Sequence, residues 1–101
     1  WLSPVQVMVI PIGEKFLDYA RGVAQAMRSG GLRAQVDERN EKMQAKIRDA
    51  QLQKIPYMAV VGEREANERT VAVRHRREGD LGPMACDAFM NRVHRESVSR
   101  Q

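Results

Sequence analysis

The stretch from Asp37 to Lys54 reads DERNEKMQAKIRDAQLQK, and it combines a helix start, an apolar helix face and a cluster of positive charges. Asn40 has the kind of side chain that caps a helix N-terminus. The apolar residues after it recur at the spacing of one helical face: Met43, Ile47 and Ala50. From Arg39 onward the cations outnumber the anions, with Arg39, Lys42, Lys46, Arg48 and Lys54 against Glu41 and Asp49. This excess is typical of a surface that meets an anion, and a solvated helix face explains it equally well.

The sequence before this stretch predicts a strand, a helix and a second strand. Val5 to Ile12 is apolar apart from one glutamine, which indicates a strand buried on both faces. From Phe16 to Met27 the apolar side chains recur mostly every three or four residues, as they do on one face of a helix. The adjacent glycines Gly30 and Gly31 end that helix, and Leu32 to Val36 follows as a weaker strand.

The sequence after the stretch predicts a third strand and then a change of pattern. Pro56 ends the basic helix, and Tyr57 to Val61 follows as an apolar strand. Alternating strands and helices are typical of a parallel sheet with right-handed crossovers. Glu63 to Arg69 is expected to be a polar loop, which is too short for a helical crossover. Thr70 to Arg77 is therefore expected to be a strand that pairs antiparallel with the third strand.

The last part of the chain predicts a turn and a closing helix. Gly79 to Gly82 is expected to form a turn with a very short extra strand. Pro83 suits the first position of a helix. The apolar face of that helix comprises Cys86, Phe89, Met90 and Val93. Residues 1–101 are therefore expected to form a single α/β domain with a mixed sheet.

Composition places the chain among ordinary globular proteins, with 43% hydrophobic and 30% charged residues over a length of 101. A net charge of +4 and a pI near 9.7 suit a polyanion partner without requiring one. A single cysteine, Cys86, excludes an internal disulfide and fits a reducing compartment. Gln6 and Pro11 interrupt the N-terminal apolar run, so neither a signal peptide nor a membrane span is expected. Because the chain begins at Trp1, we expect it to be part of a longer protein.

Ligands of open α/β sheets bind beyond the carboxyl ends of the parallel strands. Of the predicted strand ends, only the segment from Asp37 to Asn40 is richly polar. The Asn40 amide either caps the helix or faces a base edge or a ribose, and the sequence pattern leaves both interpretations open. The backbone N–H groups at the helix start favour a phosphate in the same place.

The fourth predicted strand carries arginines on one of its faces. Alternation puts Arg74 and Arg76 on the same side, opposite to Val71 and Val73. A guanidinium is not left unpaired in a core, so this side is either open or supplied with anions. A planar guanidinium fork suits a base or a phosphate, because it donates to two acceptors at once. Solvent-exposed arginines that bind no ligand explain the pattern about as well.

Catalytic and metal motifs are absent from the sequence. None of the phosphate-loop, dinucleotide-loop or nucleophile-elbow patterns occurs. His75, His94 and Cys86 lack the spacing of metal ligands. Glu65 stands in a charged segment, where it forms solvated ion pairs, accepts bonds from a base amino group or orients Arg74. We therefore expect neither a catalytic residue nor a metal site in this chain.

Five strings occur in order along the chain: WLSPVQVMVIPI, VDERNEK, KIRDAQLQKIPYMAVVGERE, TVAVR and GDLGPM. Together they resemble the C-terminal anticodon-binding domain of the threonyl-tRNA synthetases, which are class II aminoacyl-tRNA synthetases. The resemblance extends from Trp1 to the region of Val93. It implies a three-layer α/β/α domain with a five-stranded mixed sheet and three helices. The prolyl, histidyl and glycyl enzymes share this fold.

The resemblance also implies which residues bind RNA. The residues expected to contact the anticodon loop are Asn40, Arg48, Glu65 and Arg74. The residues expected to contact phosphates are Arg39, Lys42, Lys46, Arg76 and Arg77. Threonine anticodons have G in the middle and U in the third place, and Arg74 suits the O6 and N7 acceptors of guanine. The family commonly has Gly and an aromatic residue where this chain has Gln44 and Ala45.

For the parent enzyme, the resemblance implies a cytoplasmic threonine–tRNA ligase that uses ATP and Mg²⁺, carries Zn²⁺ and forms a homodimer. Those cofactors are expected in a catalytic domain, and none is expected in this one. The expected partner of this domain is threonine tRNA, with no DNA and no membrane involved. The alternatives are an accessory or regulatory module of the same fold, the equivalent domain of a prolyl, histidyl or glycyl enzyme, and a free-standing small α/β enzyme or nucleotide binder.

Overall fold

A five-stranded mixed sheet lies at the centre of the molecule. The computed structural model describes residues 5–39 and 41–99, with side chains as far as residue 95. The strands are β1 (Val7–Pro11), β2 (Ala34–Val36), β3 (Tyr57–Val61), β4 (Thr70–His75) and β5 (Gly79–Ala85). They are ordered β2-β1-β3-β4-β5 across the sheet. The first three strands along the chain are parallel, and β4 pairs antiparallel with β3 as predicted.

The helices are α1 (Leu17–Ser29), α2 (Met43–Leu52), α3 (Glu63–Glu68) and α4 (Cys86–Ser99), with a 3-10 turn at Glu14–Phe16 before α1. Alternate residues of β1 point to opposite faces of the sheet. Val7 and Val9 belong to a core with α1 and α4, whereas Met8 and Ile10 belong to a core with α2. The predicted α/β/α fold is therefore confirmed. None of the helices in the described ranges is long and apolar enough to cross a membrane.

On its side of the sheet, α2 covers β1 and β3 and leaves β4 and β5 exposed. The strand residues of the core beneath α2 come from β1 and β3: Met8, Ile10, Met58 and Val60. Beyond them on β4, Ala72 is half-buried and Arg74 is exposed. Their ladder partners on β5, Pro83 and Asp80, are exposed as well. We call Ala72, Arg74, Asp80 and Pro83 the open sheet face.

Two segments differ from the sequence prediction. Residues 63–68 form α3, where a polar loop was expected, because Glu65 accepts the N–H of Gly62 at 2.9 Å and so caps the short helix. The second segment is β5, which has seven residues where a turn with a very short strand was expected. Pro83 lies within β5, and the last helix begins at Cys86. A proline is tolerated there because β5 is an edge strand.

The basic helix begins later than predicted. Helix α2 starts at Met43 with Lys42 at its N-cap, whereas the sequence pattern predicted Asn40 in that position. Lys42 makes no side-chain hydrogen bond that caps the helix. Asn40 lies outside the described residues, so its predicted contact with a base stays a prediction.

Candidate nucleic-acid interface

Lys46 determines which flank of α2 faces which strands. Its side chain is buried, with 5% exposed, and its Nζ donates to the carbonyl oxygens of Pro11 at 3.5 Å and Asp37 at 3.3 Å. These carbonyls lie at the ends of β1 and β2, so this flank of the helix faces those two strands. The prediction that Lys46 lies on a solvated helix face is wrong. Because a buried ammonium needs acceptors, its charge is used within the fold and does not face a phosphate.

Arg39 joins the end of β2 to the same flank of α2. Its guanidinium donates to the two carboxylate oxygens of Asp37 at 2.9 and 2.8 Å, and to Asp49 of α2 at 2.7 Å. The hydrogen bonds from Arg39 hold the pKa of the Asp37 carboxyl below its usual range. A phosphate at Arg39 would therefore compete with two carboxylates that are already in place.

A small cavity lies beside this network at the ends of β1 and β2. Its volume is about 60 Å³, and its lining includes Pro11, Asp37, Arg39 and Lys46. Pockets that hold small molecules usually have volumes of roughly 300 Å³ or more. The cavity therefore has room for water and not for a nucleotide.

The opposite flank of α2 faces β4. Successive residues of an α-helix lie about 100° apart around its axis, so Arg48 lies about 200° from Lys46. Gln44 lies one turn before Arg48 on the same flank, and both side chains are exposed. Since the Lys46 flank faces β1 and β2, the Arg48 flank borders the open sheet face. We call the space between this flank and the open sheet face the groove, with α2 as its wall.

Arg74 lies on the floor of this groove. Its neighbours in β4, Val73 and His75, are buried on the opposite face of the sheet. Arg74 itself is exposed and makes no ion pair with a carboxylate of the described residues, and the same holds for Arg48. Two of the predicted anticodon-binding arginines thus lie on the same side of the sheet, one on the wall of the groove and one on its floor.

Glu65 lies towards the other end of the sheet. Its side chain is buried, and its Oε1 accepts the N–H of Gly62, the residue that follows β3. Arg74 pairs with Met58, and Gly62 lies four residues further along, or about 13 Å at the usual strand rise. The suggestion that Glu65 orients Arg74 is therefore wrong, because the structure does not bring the two together. A contact between Glu65 and a base stays a prediction.

The turn between β4 and β5 carries two more predicted phosphate ligands, Arg76 and Arg77, both exposed. His75 is buried beneath this turn, and its Nδ1 accepts the backbone N–H groups of Arg77 at 3.1 Å and Glu78 at 3.2 Å. The Tyr57 ring packs edge-on against the His75 ring, with 4.8 Å between their centroids. This buried acceptor fixes the backbone that carries the two arginines.

Two residues of the open sheet face, Asp80 and Pro83, were not predicted as part of a site. The string GDLGPM was interpreted as a turn followed by a helix start, and an exposed carboxylate in a turn has no special meaning. Their positions opposite Arg74 and Ala72 follow from the register of β5. The alternation along β4 predicts which of its side chains share a face with Arg74. The residues of β5 that oppose them follow only from the strand pairing.

The described residues offer binding groups and no metal or thiolate chemistry. Among them, no group of three or more His, Cys, Asp or Glu side chains is placed to hold a metal ion. Cys86 is half-buried, and burial raises the pKa of its thiol, which disfavours the reactive thiolate. The chemistry of the groove is therefore that of guanidinium, amide and carboxylate groups on an apolar floor.

Known proteins show the same sequence pattern. The family described as anticodon binding domain matches residues 6–96. The threonine–tRNA ligase of Acetivibrio thermocellus is 55% identical over 93 residues, which are 92% of this chain and 15% of that protein. The threonine–tRNA ligase of Thermus thermophilus is 52% identical over 101 residues, which are 100% of this chain and 15% of that protein. The chain thus spans 15% of the length of these two relatives.

Two solved structures share the fold. The RNA binding domain of threonyl-tRNA synthetase from Cryptosporidium parvum has a TM-score of 0.85 at 31% identity, over 93% of this chain and 24% of that one. Histidyl-tRNA synthetase from Nostoc has a TM-score of 0.85 at 19% identity, over 92% of this chain and 22% of that one, which shows the fold alone. These findings confirm the resemblance that the sequence strings indicated. With the family pattern matched over residues 6–96, the chain belongs to the anticodon-binding domain family.

Proposed function

We propose that this chain is the anticodon-binding domain of a threonine–tRNA ligase, and that it binds the anticodon loop of threonine tRNA in the groove between α2 and the open sheet face. The observation that supports the proposal is that Arg48 of α2 and Arg74 of β4 are both exposed. The relatives at 55% and 52% identity are threonine–tRNA ligases, which favours this function over an accessory module or a prolyl, histidyl or glycyl domain.

The groove suits single-stranded bases. Anticodon bases can be splayed away from their neighbours, so their edges become accessible to side chains, whereas a paired RNA helix hides them. Arg74 would donate to the O6 and N7 acceptors of the middle guanine. Arg48 would approach the loop from the wall of the groove. Asn40 and Glu65 would contact the remaining base edges or riboses, and Glu65 has its second carboxylate oxygen for this purpose.

Exposed cations at the start of α2 and in the turn after β4 would supply the sequence-independent part of the affinity. Lys42 lies at the start of α2, and Arg76 and Arg77 lie in the turn after β4. Each phosphate that they neutralise releases counterions, so binding should weaken as salt is raised. Arg39 and Lys46 would act in a different way from the one that the resemblance implied, because both hold α2 against the ends of β1 and β2.

We further propose that residues 1–101 act as one domain of a longer, cytoplasmic and homodimeric ligase. That enzyme would activate threonine with ATP and Mg²⁺ and transfer it to the tRNA, and its Zn²⁺ would lie in the catalytic domain. The residues described here include no metal-binding group of His, Cys, Asp and Glu, so the contribution of this domain would be to select the tRNA.

The test is RNA binding at two salt concentrations. One RNA is a threonine anticodon stem-loop, and a second has its middle G replaced by each other base in turn. A preference for the unaltered loop that persists at the higher salt is the expected result, because base contacts are less salt-dependent than phosphate contacts. Equal binding of all loops with a strong salt dependence would overturn base recognition by this domain.

A further inference from the structure

The β4–β5 ladder contains an irregularity next to Arg74. Val73 pairs with Gly82 and Arg74 pairs with Asp80, so Leu81 is an extra residue in β5. Leu81 packs against the core that includes α1 and α4. The bulge therefore turns an apolar side chain inward and leaves Asp80 on the open sheet face, directly opposite Arg74.

Arg74 and Asp80 form a cross-strand pair without an ion pair. Side chains that oppose each other in an antiparallel ladder have Cβ atoms about 5 Å apart. Both side chains are exposed, yet no salt bridge joins them. The Asp80 carboxylate is instead oriented by its own strand, since Oδ1 accepts the N–H of Gly82 at 2.9 Å. Oδ2 and the remaining lone pair of Oδ1 are left to accept hydrogen bonds from a ligand on the face that Arg74 shares.

A guanidinium that donates two hydrogen bonds beside a carboxylate that accepts two matches the hydrogen-bonding groups of guanine. Going around the ring, N7 and O6 accept hydrogen bonds, and the adjacent N1–H and 2-amino groups donate them. Adenine presents a donor at its 6-amino group and an acceptor at N1. Its donor would therefore meet the guanidinium and its acceptor would meet the carboxylate, so neither could form a hydrogen bond. A carboxylate facing the N1 lone pair of adenine would repel it.

The next ladder pair on the same face of the sheet supplies a surface on which such a base can lie, and the Val73–Gly82 pair lies between the two. Ala72 and Pro83 oppose each other beside Arg74 and Asp80, and Pro83 is exposed. Both side chains are apolar and neither reaches far from the sheet, so a planar ring can rest against them with one edge towards the charged pair. Two ladder pairs on one face of the sheet thus provide an apolar surface and a charged pair for one purine.

We propose that Asp80 is a specificity-determining residue that binds the N1–H and 2-amino groups of the middle anticodon guanine, while Arg74 binds its O6 and N7. This inference rests on the proposed function, because it names a second residue for the base that Arg74 contacts. Asp80 selects guanine against adenine by charge, and Gly82 orients its carboxylate before RNA arrives.

The test removes single groups from the base and from the protein together. Three stem-loops carry guanine, inosine or 7-deazaguanine as the middle anticodon base; inosine lacks the 2-amino group and 7-deazaguanine lacks N7. We expect this chain to bind the guanine loop about tenfold tighter than the inosine loop, the effect of one charge-assisted hydrogen bond. Asp80→Asn should bind guanine and inosine loops alike and keep its sensitivity to 7-deazaguanine. Arg74→Lys should show the reverse pattern.

Two further variants separate this effect from folding and from net charge. Asp80→Ser keeps an oxygen that can accept the Gly82 N–H but has no carboxylate, so it should behave like Asp80→Asn. Asp18→Asn makes the same change of charge on α1, away from the groove, and should keep the wild-type discrimination.

The outcomes distinguish the inference from the function on which it rests. If Asp80→Asn and Asp80→Ser still discriminate guanine from inosine as the wild type does, Asp80 does not touch the 2-amino group and the inference is overturned. In that case a wild-type preference for guanine over the other bases would leave the proposed function standing. If the wild type shows no preference among the four bases at the middle position, base recognition itself fails.

Discussion

The ammonium group of Lys46 donates to the carbonyl oxygen of Asp37 at 3.3 Å, and this contact ties the first turn of α2 to the residue that follows β2. Together with the bond to the Pro11 carbonyl, it places a basic residue in a structural position beneath the helix. The groove on the other flank of α2 depends on this anchoring, because the position of Arg48 is fixed relative to β4 only when α2 is fixed.

Lys46→Ala should destabilise the fold by about 2 kcal/mol, because two buried carbonyls lose their donor and a cavity replaces the side chain. The salt dependence of RNA binding should be unchanged, since Lys46 contacts no phosphate. Urea unfolding and RNA titrations at several salt concentrations measure the two effects.

Lys42→Ala is the matched control, with stability within about 0.5 kcal/mol of the wild type. Its salt slope should be shallower by about 0.7, the value for one phosphate contact on a single strand. A reduced salt slope for a fully folded Lys46→Ala would contradict the structural role.

Glu65→Ala should lower the free energy of unfolding by about 1 kcal/mol, because the Gly62 N–H at the start of α3 loses its side-chain acceptor. Glu65→Gln should retain most of the stability, since its amide oxygen can still accept the Gly62 N–H. Thermal or urea unfolding of the two variants provides the comparison. Equal stability of both variants and the wild type would show that the cap is not needed for α3.

Arg74→Ala should weaken binding of the threonine stem-loop about tenfold and reduce the preference for the middle guanine, because a bidentate base contact is lost. Arg76→Ala should weaken all loops by a similar factor and make the salt slope shallower, as expected for a phosphate contact. Competition between the threonine loop and a scrambled loop distinguishes the two residues. If Arg74→Ala reduced both affinities by the same factor, Arg74 would be a phosphate ligand.

Acid should destabilise the fold in part through Asp37. Its pKa is lowered in the folded protein by hydrogen bonds from Arg39, so the ionised carboxylate stabilises the fold at pH values above the ordinary pKa of about 4. This contribution is lost as the pH falls below that value and through the lowered pKa. Urea unfolding at a series of pH values should show the stability gap between wild type and Asp37→Asn narrowing towards low pH.

The succession of the main strands and helices along the chain could be predicted from the sequence, because the side chains of a strand alternate between the two faces of the sheet and each face sets its own polarity. Val7 to Pro11 is apolar throughout since both of its faces are covered, and the alternation from Thr70 to His75 marks a strand with one dry face. The parallel order of the first three strands followed from the helices between them. These features are local, and local patterns suffice for them.

Other features depend on partners that are distant in the sequence. Lys46 borders the apolar face of α2, and only the carbonyls of Pro11 and Asp37 decide that it turns inward. Strand β5 contains two glycines and a proline, and a segment of this composition forms a strand only because β4 supplies the opposite ladder. Asp80 became a candidate for base recognition through that same register. The missing information is the position of distant carbonyl oxygens for Lys46, and the pairing of strands for β5 and Asp80.

The exposed half of β4 has a consequence for how such a domain could change its target. Val71, Val73 and His75 are buried, whereas Ala72 is half-buried at the edge of the core beneath α2 and Arg74 is exposed. Neighbouring positions of β4 are therefore under different structural constraints. If Arg74 and Asp80 bind the base as proposed, a mutation at either residue should alter the recognised base with little effect on the stability of the fold. New base specificities can therefore arise by single substitutions on one side of a strand, and each intermediate variant should still fold.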